Sequence, residues 1–222
     1  MVGAGMTDPD TSQYRTWEVL LIGGVSGAGK TLAAAELARR LAIPWIGVDD
    51  LRLALQWTRV RLPEPEQTEA LYFFLDTPDV WSLPAERLRD GLIAVGEIMS
   101  PAIEVVVGNH LGNAGPVILE GDGILPSLAD RSEIKAGIES GRVRIVFIHE
   151  PDPERLYANY LQRDRFLEGR SETELRAEAR AKALFSDWIA ADARKRELPV
   201  IDSRPFGTLI ERIAAVASSR SG

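Results

Sequence analysis

The stretch that decides the fold is LLIGGVSGAGKTLAAAEL, which runs from Leu20 to Leu37. It begins as an apolar run typical of a buried parallel strand and ends in the i, i+3, i+4, i+7 apolar spacing of a helix. Between the two lies a match to the pattern G-x-x-x-x-G-K-[ST]. The eight matching positions are Gly24, Val25, Ser26, Gly27, Ala28, Gly29, Lys30 and Thr31.

A loop of this kind is expected to hold phosphate. Its glycines permit backbone angles that turn successive N–H groups inward, and the following helix adds the positive end of its dipole. Lys30 is then expected to reach the β- and γ-phosphates, and Thr31 to place its hydroxyl on Mg²⁺. A ligand-free glycine turn is the alternative, but strand and helix flank the pattern in register. The loop therefore predicts a bound nucleoside triphosphate.

Four more short apolar runs follow, and each ends in acidic residues. They are IPWIGV (43–48, followed by two aspartates), PVILEGD (116–122), RVRIVFIHE (142–150) and LPVID (198–202). Strands that alternate with helical stretches predict an α/β fold, here a P-loop three-layer sandwich with a five-stranded, mostly parallel sheet. We expect a loose tail at 1–16 and a single domain at 17–222.

The helical stretches carry recognisable signals. Apolar spacing predicts a long helix over 88–106 with a kink at Pro101, and a short amphipathic helix over 206–217. Ser171 and Glu174 form a capping-box pattern that opens a helix to about Arg196. The segment 62–115 does not fit a simple crossover, and we interpret it as an inserted helical substrate-binding subdomain.

The second strand leads into Asp49, at the carboxyl end of the sheet, where open α/β folds bind ligands. Arg52 follows three residues later, on the same face of a starting helix. Asp49 could orient or deprotonate an acceptor hydroxyl while Arg52 pairs with an anionic group of that acceptor. The alternative is that Asp49 or Asp50 only caps the helix, and we expect Asp50 in that role.

Glu120 and Asp122 end the third strand. One of them is expected to bind Mg²⁺, directly or through water, or to contact the acceptor. We take both as acceptor-side residues and Glu120 as a metal ligand beside Thr31, but the residues leave the division of roles open. A tight turn with solvated acids is the alternative.

Arginines surround a glycine before the Ser171 cap. Arg163, Arg165 and Arg170 could form a lid, at about 163–171, that closes over the phosphates, with Arg163 and Arg170 as catalytic cations. A solvated charged face is the alternative.

Histidines and aromatic residues receive no catalytic role. We expect His149 to be satisfied at a strand end and His110 to lie at the surface or in the subdomain. For Trp57, Phe73, Phe74 and Trp81, core packing is favoured over an acceptor pocket.

The composition of the chain limits which kinds of binding partner are expected. A net charge of −7 argues against an extended nucleic-acid footprint, and the absence of cysteine excludes disulfides and thiolate metal sites. We see neither a signal peptide nor an 18-residue apolar stretch, so we expect a cytoplasmic monomer or homodimer without membrane partners.

These segments together resemble small-molecule kinases of the nucleoside-monophosphate-kinase-like P-loop group, and most of all the 2-phosphoglycerate kinase family. The resemblance rests on GGVSGAGKT, GVDDLRLAL, VILEGDGILP and LPVIDSRPFGTLIERI, and it covers roughly residues 18–218. It implies ATP and Mg²⁺, Lys30 and Thr31 on the nucleotide, and Asp49 and Arg52 at the acceptor. It also implies that the loop with Arg204 and Pro205 lies near the adenine.

One departure concerns the acceptor side. The family usually has a histidine shortly after Glu-Gly of the third strand, where this chain has Asp122-Gly123-Ile124. The leading hypothesis is an ATP-dependent kinase that phosphorylates a hydroxyl of a small, anionic, 2-phosphoglycerate-like metabolite. The alternatives are an antibiotic or nucleotide-sugar kinase, or a nucleotide-binding regulatory protein without an acceptor.

Overall fold

A computed structural model describes residues 15–163 and 169–219 of the chain. Within these ranges five strands alternate with eight α-helices. The strands are β1 (Val19–Gly24), β2 (Trp45–Gly47), β3 (Val117–Gly121), β4 (Val143–His149) and β5 (Val200–Asp202). The helices are α1 (Lys30–Leu41), α2 (Val48–Trp57), α3 (Pro65–Asp76), α4 (Ala85–Asn109), α5 (Ser132–Glu139), α6 (Pro153–Arg163), α7 (Glu172–Lys195) and α8 (Leu209–Ser218).

The five strands form one parallel sheet in the order β2-β3-β1-β4-β5. Strand β1 lies at the centre and is fully buried, as its unbroken apolar sequence predicts. Helices α1 and α8 pack against each other and on the sheet, whereas α4 and α7 pack together as another layer. The expected three-layer α/β fold is confirmed, and the carboxyl ends of β1 and β3 meet beside the glycine loop.

Most element predictions are confirmed with small shifts of their bounds. Val48 begins α2 instead of ending β2, and α4 continues through Pro101 to Asn109. The capping box is present: the Ser171 hydroxyl accepts from the Glu174 N–H, and the Glu174 carboxylate accepts from the Ser171 N–H. The expected tail falls largely on residues 1–14, outside the described residues.

The segment 62–115 is helical, as predicted, but part of it belongs to the main core. The second half of α4 contributes Met99, Ile103 and Val107 to that core. A smaller cluster of Val80, Leu88 and Ala181 lies under Phe73, Phe74 and Trp81. The segment thus serves in part as the crossover from β2 to β3. Its role as a substrate-binding subdomain stays a prediction.

One helical stretch, Ala85–Ala114, is long and apolar enough by length and composition to cross a membrane, contrary to our expectation. Core helices of water-soluble proteins pass the same criterion, so this is weak evidence for a membrane span. In this fold the stretch packs against α7 and the main core.

Candidate active site

The glycine loop joins β1 to α1 in a conformation that requires glycine. Gly27 and Gly29 have φ angles of +94° and +100°, in the left-handed region that other residues rarely adopt. A Cβ on Gly29 would also lie 2.6 Å from Cε2 of Phe206. The loop thus has the backbone geometry from which a concave anion-binding site can be built.

Distant residues hold this loop in place. The Asn159 side chain, on α6, donates a hydrogen bond of 2.9 Å to the Gly27 carbonyl. Leu156 of the same helix lies against Gly27, and the Phe206 ring lies against Gly29. Helix α6 and the loop after β5 therefore support the loop from two sides.

Lys30 and Asp122 form the most buried ion pair of the site. The Lys30 ammonium lies 2.7 Å from one Asp122 oxygen and also donates to the Val25 carbonyl at 3.0 Å. The Ser26 hydroxyl donates to the other Asp122 oxygen at 2.8 Å, and the Lys182 ammonium, from α7, bonds the same oxygen. The structure thus brings Lys30, Asp122 and Lys182 together, a contact that the sequence analysis did not predict.

The charges of this cluster fix its protonation. Burial alone would raise the pKa of Asp122, but Lys182 and Lys30 outweigh it and hold that pKa far below its usual range. Burial alone would lower the pKa of Lys30, but Asp122 and Glu120 outweigh it and the net change is upward. Asp122 is therefore a firmly ionised partner for cations and a poor acceptor of protons.

Thr31 and Glu120 meet at the end of β3. The Thr31 hydroxyl donates to a Glu120 oxygen at 3.0 Å, and Glu120 is buried. Burial raises the pKa of Glu120, with Lys30 and Thr31 opposing the rise.

These two oxygen donors fit Mg²⁺, which usually binds one or two protein oxygens together with phosphates and water. Among the described residues no group of three or more acidic or histidine side chains could hold a metal alone.

Asp49 and Arg52 lie on the first turns of α2. Their side chains are 3.5 Å apart, on one helix face as the spacing predicts. The N-cap of α2 is Gly47 and it makes no side-chain cap bond, so the prediction that Asp50 caps the helix was wrong. Asp50 falls within the first turn because the helix begins at Val48.

The Asp49 carboxylate lies in a different environment from that of Asp122. Its side chain is 43% exposed, at the open edge of the site. Desolvation and the charge of Asp122 raise its pKa, while Arg52, Lys30 and Lys182 oppose the rise.

Arg52 is oriented by a buried amide. Gln56 accepts a hydrogen bond of 2.9 Å from Arg52 and donates one of 2.7 Å to the Leu71 carbonyl of α3. Gln56 is almost fully buried, so Arg52 is linked through it to the inserted segment.

The loop after β5 contacts the glycine loop through Phe206. The Arg204 guanidinium stacks on the Phe206 ring at 5.5 Å, and its Nε lies 3.9 Å from the buried Glu150 carboxylate. Phe206, which directly follows Arg204 and Pro205 in the chain, is thus the residue of this loop that lies against the glycine loop. The contact of Arg204 and Pro205 with a nucleotide stays a prediction.

The candidate lid is described only in part. Arg163 ends α6, but its side chain and all of Arg165 lie outside the described residues. Arg170 pairs with Glu178 of α7 and stacks on Trp81 at 4.5 Å from the ring centroid. These are the contacts of Arg170 in this structure, and its catalytic role stays a prediction.

Of the remaining sequence expectations, some are confirmed and one was wrong. His149 lies between Asp187 (2.8 Å) and Asp202 (3.3 Å), so its expected satisfaction at a strand end is confirmed. His110 lies after α4 and contacts the Gly115 carbonyl. The core placement of Trp57 was wrong, because its side chain is 78% exposed at the end of α2.

Sequence reasoning missed Lys182, Gln56 and Asn159. A signal for Lys182 is visible in hindsight, since it occupies a position in the helical stripe that buries Ala179 and Ser186. Asn159 bonds a residue 132 positions away, a distance over which the sequence carries no local signal.

Comparisons with known proteins agree with the resemblance. No family model matches the chain. It is 24% identical over 207 residues to a 2-phosphoglycerate kinase of Methanocaldococcus jannaschii, covering 91% of this chain and 63% of that protein. It is 27% identical over 212 residues to a 2-phosphoglycerate kinase of Methanopyrus kandleri, covering 91% and 61%. The chain thus spans less than two thirds of the length of these curated relatives.

Solved structures with a similar arrangement include a gluconokinase from Sinorhizobium meliloti, with 17% identity, a TM-score of 0.46 and coverage of 92% and 93%. A shikimate kinase from Acinetobacter baumannii has 14% identity, a TM-score of 0.49 and coverage of 92% and 93%.

Proposed function

We propose that the chain is an ATP-dependent kinase that transfers the γ-phosphoryl group to a hydroxyl of a small anionic metabolite of the 2-phosphoglycerate type. The observation that carries the proposal is that two pairs of residues, Lys30 with Thr31 and Asp49 with Arg52, lie together at the carboxyl end of the parallel sheet. Lys30 and Thr31 of the glycine loop face the acids that end β3, and Asp49 with Arg52 stands beside them. The similarity to two proteins named 2-phosphoglycerate kinase supports this assignment.

The nucleotide half acts by positioning and by charge. The N–H groups of the glycine loop and the Lys30 ammonium would hold the β- and γ-phosphates, with Arg204 and Pro205 near the base. Thr31 and Glu120 would hold Mg²⁺, which supplies positive charge to the phosphate oxygens. Because the Asp122 pair keeps Lys30 at the loop, the ammonium needs to move only a short distance to reach a ligand.

The half of the site that binds the phosphoryl acceptor also supplies the group that takes up the proton. In the transfer the acceptor oxygen forms a bond to the γ-phosphorus, the bond from that phosphorus to the bridging oxygen breaks, and ADP leaves. The hydroxyl proton passes to Asp49. The raised pKa of Asp49 suits this task, whereas the two lysines on Asp122 make that carboxylate unsuited to it.

The class of acceptor follows from Arg52. A guanidinium beside the proton acceptor is suited to a carboxylate or phosphate on the same small molecule. An acceptor such as 2-phosphoglycerate presents an anion and a hydroxyl close together, so it can occupy Arg52 and Asp49 at once. Arg163 and Arg170 would add lid cations over the transferring group, and such small phosphorylated metabolites fit the cytoplasmic location expected from composition.

The test is an ADP-release screen of the purified protein with ATP and Mg²⁺ across phospho-acids, neutral sugars, nucleosides and aminoglycosides. The proposal expects turnover stimulated most by phospho-acids. Stimulation by an aminoglycoside or nucleotide sugar instead would favour an antibiotic or nucleotide-sugar kinase. ATP binding with no acceptor-stimulated turnover would favour a regulatory nucleotide-binding protein.

A further inference from the structure

Helix α7 buries a lysine within its apolar face. The buried positions of the stripe follow the alternating spacing of four and three that one helix face requires; they are Leu175, Ala179, Lys182, Ser186, Ile189 and Ala193. Lys182 is only 6% exposed. A buried ammonium is costly unless it is paired, and the partner of Lys182 is Asp122.

Asp122 therefore carries two ammonium groups. Its side chain is 12% exposed, and it contacts Lys30 on one oxygen and Lys182 together with the Ser26 hydroxyl on the other. One cation is enough to neutralise one carboxylate. The second cation exceeds what Asp122 alone needs.

The second cation on Asp122 becomes necessary when Lys30 moves away from that carboxylate. If Lys30 moves to the nucleotide phosphates, Asp122 loses its 2.7 Å partner while remaining buried. Removing one member of a buried ion pair is strongly unfavourable, because it leaves an uncompensated charge. Lys182 is buried on a different element, α7, outside the glycine loop, so it is the cation that can remain on Asp122.

Resting on the proposed function of the glycine loop, we propose that Lys182 is a positioning residue for nucleotide binding. It remains on Asp122 while Lys30 transfers to the phosphates, so that no carboxylate is left buried and unpaired. Lys182 acts through Asp122 and does not itself contact the nucleotide.

The first measurement is the affinity for a non-hydrolysable ATP analogue with Mg²⁺, by titration calorimetry. Lys182→Met should weaken binding by about tenfold or more, because the buried Asp122 carboxylate then loses its last cationic partner and keeps only the Ser26 hydroxyl. The matched control is Lys195→Met, the same substitution at an exposed position of the same helix, and it should leave the affinity unchanged. Wild-type affinity in Lys182→Met would overturn the proposal.

The second measurement separates positioning from direct contact. In an Asp122→Asn background, no buried carboxylate is left without a cationic partner when Lys30 moves. Adding Lys182→Met to this background should therefore change the affinity by less than about twofold. Such non-additivity is expected only of coupled residues. If Lys182 contacted the phosphates itself, the loss would be equal in both backgrounds, and that result would overturn the proposal.

Thermal unfolding of each variant checks the fold. If Lys182→Met does not fold, Lys182→Gln keeps a hydrogen-bond donor for Asp122 and removes only the charge, and the same pair of titrations applies. A wild-type protein that fails to bind the analogue would refute the proposed function of the loop together with the role of Lys182. Binding by the wild type without the coupling would refute only the latter.

Discussion

The two halves of the candidate site are built differently. On the nucleotide side, the charged groups are buried and joined by short contacts, with Asp122 alone receiving Lys30, Lys182 and Ser26. On the acceptor side, Asp49 is 43% and Arg52 30% exposed, and they meet at 3.5 Å. The proposed nucleotide half is thus buried and closely paired, whereas the proposed acceptor half is more exposed, so that a second molecule can reach its groups.

The difference follows from what holds each half. The glycine loop follows β1 and the acids lie at the end of β3, and these neighbouring inner strands pair from Val19 to Gly23 of β1. Asp49 and Arg52 belong to α2, which follows the three-residue edge strand β2. We therefore expect substitutions on the nucleotide side to act on the chemistry of every acceptor, and those around α2 to act on the choice of acceptor.

Lys30→Ala should have the largest effect. Turnover should fall by ~10³–10⁵-fold, the range of other cations at a transferring phosphoryl group, because the transfer depends on positioning and charge. Steady-state kinetics on the acceptor found by the screen measures this. Lys135→Ala, an exposed lysine on α5, is the control and should behave as wild type. Turnover near the wild-type value in Lys30→Ala would mean that the glycine loop does not bind the transferred phosphate.

Asp49→Asn should come next, with turnover lowered by ~10²–10⁴-fold, as for the loss of a general base. Affinity for ATP should change little, because Asp49 is assigned to the acceptor. Asp50→Asn is the matched control, since Asp50 is the adjacent, exposed acid of the same helix turn. If both variants lose only thermal stability, with unchanged turnover per folded molecule, Asp49 has a structural role.

Arg52→Ala should raise the KM for an anionic acceptor by about tenfold, in line with one charge-assisted hydrogen bond. The KM for ATP should stay constant, and the exposed Arg61→Ala serves as the control. An unchanged acceptor KM would separate Arg52 from the acceptor and weaken the case for an anionic metabolite.

The pH dependence should show the smallest effect. Asp49 must be ionised to accept a proton, so kcat/KM should fall as the pH drops through its pKa. Because desolvation and Asp122 raise that pKa, the fall should begin at a higher pH than for an ordinary aspartate. The residual activity of Asp49→Asn should lack this acid limb, and its persistence there would assign the limb to another group.

Local patterns predicted much of this molecule. The apolar runs, the glycine loop and the Ser171 capping box depend on neighbours within a few residues, and each formed where the sequence indicated. The placement of Asp49 and Arg52 on one helix face depended on helix spacing alone, and it too is present.

What could not be predicted depends on contacts far apart in the chain. Lys182 reaches Asp122 across 60 positions, and Gln56 links Arg52 to α3 through a backbone carbonyl that no side-chain pattern marks. Asp50 was misassigned because the helix starts at Val48, where β2 ends earlier than its apolar run suggests. Trp57 was misassigned because hydrophobicity alone does not say which face of a helix end is covered.

The most direct test of the central claim is a ³¹P NMR time course of the wild-type protein with ATP, Mg²⁺ and 2-phosphoglycerate. The account predicts that ATP is converted to ADP while an equal amount of a glycerate carrying two phosphoryl groups appears, and that Lys30→Ala produces neither. Conversion of ATP to ADP and inorganic phosphate at a rate indifferent to the acceptor would contradict it.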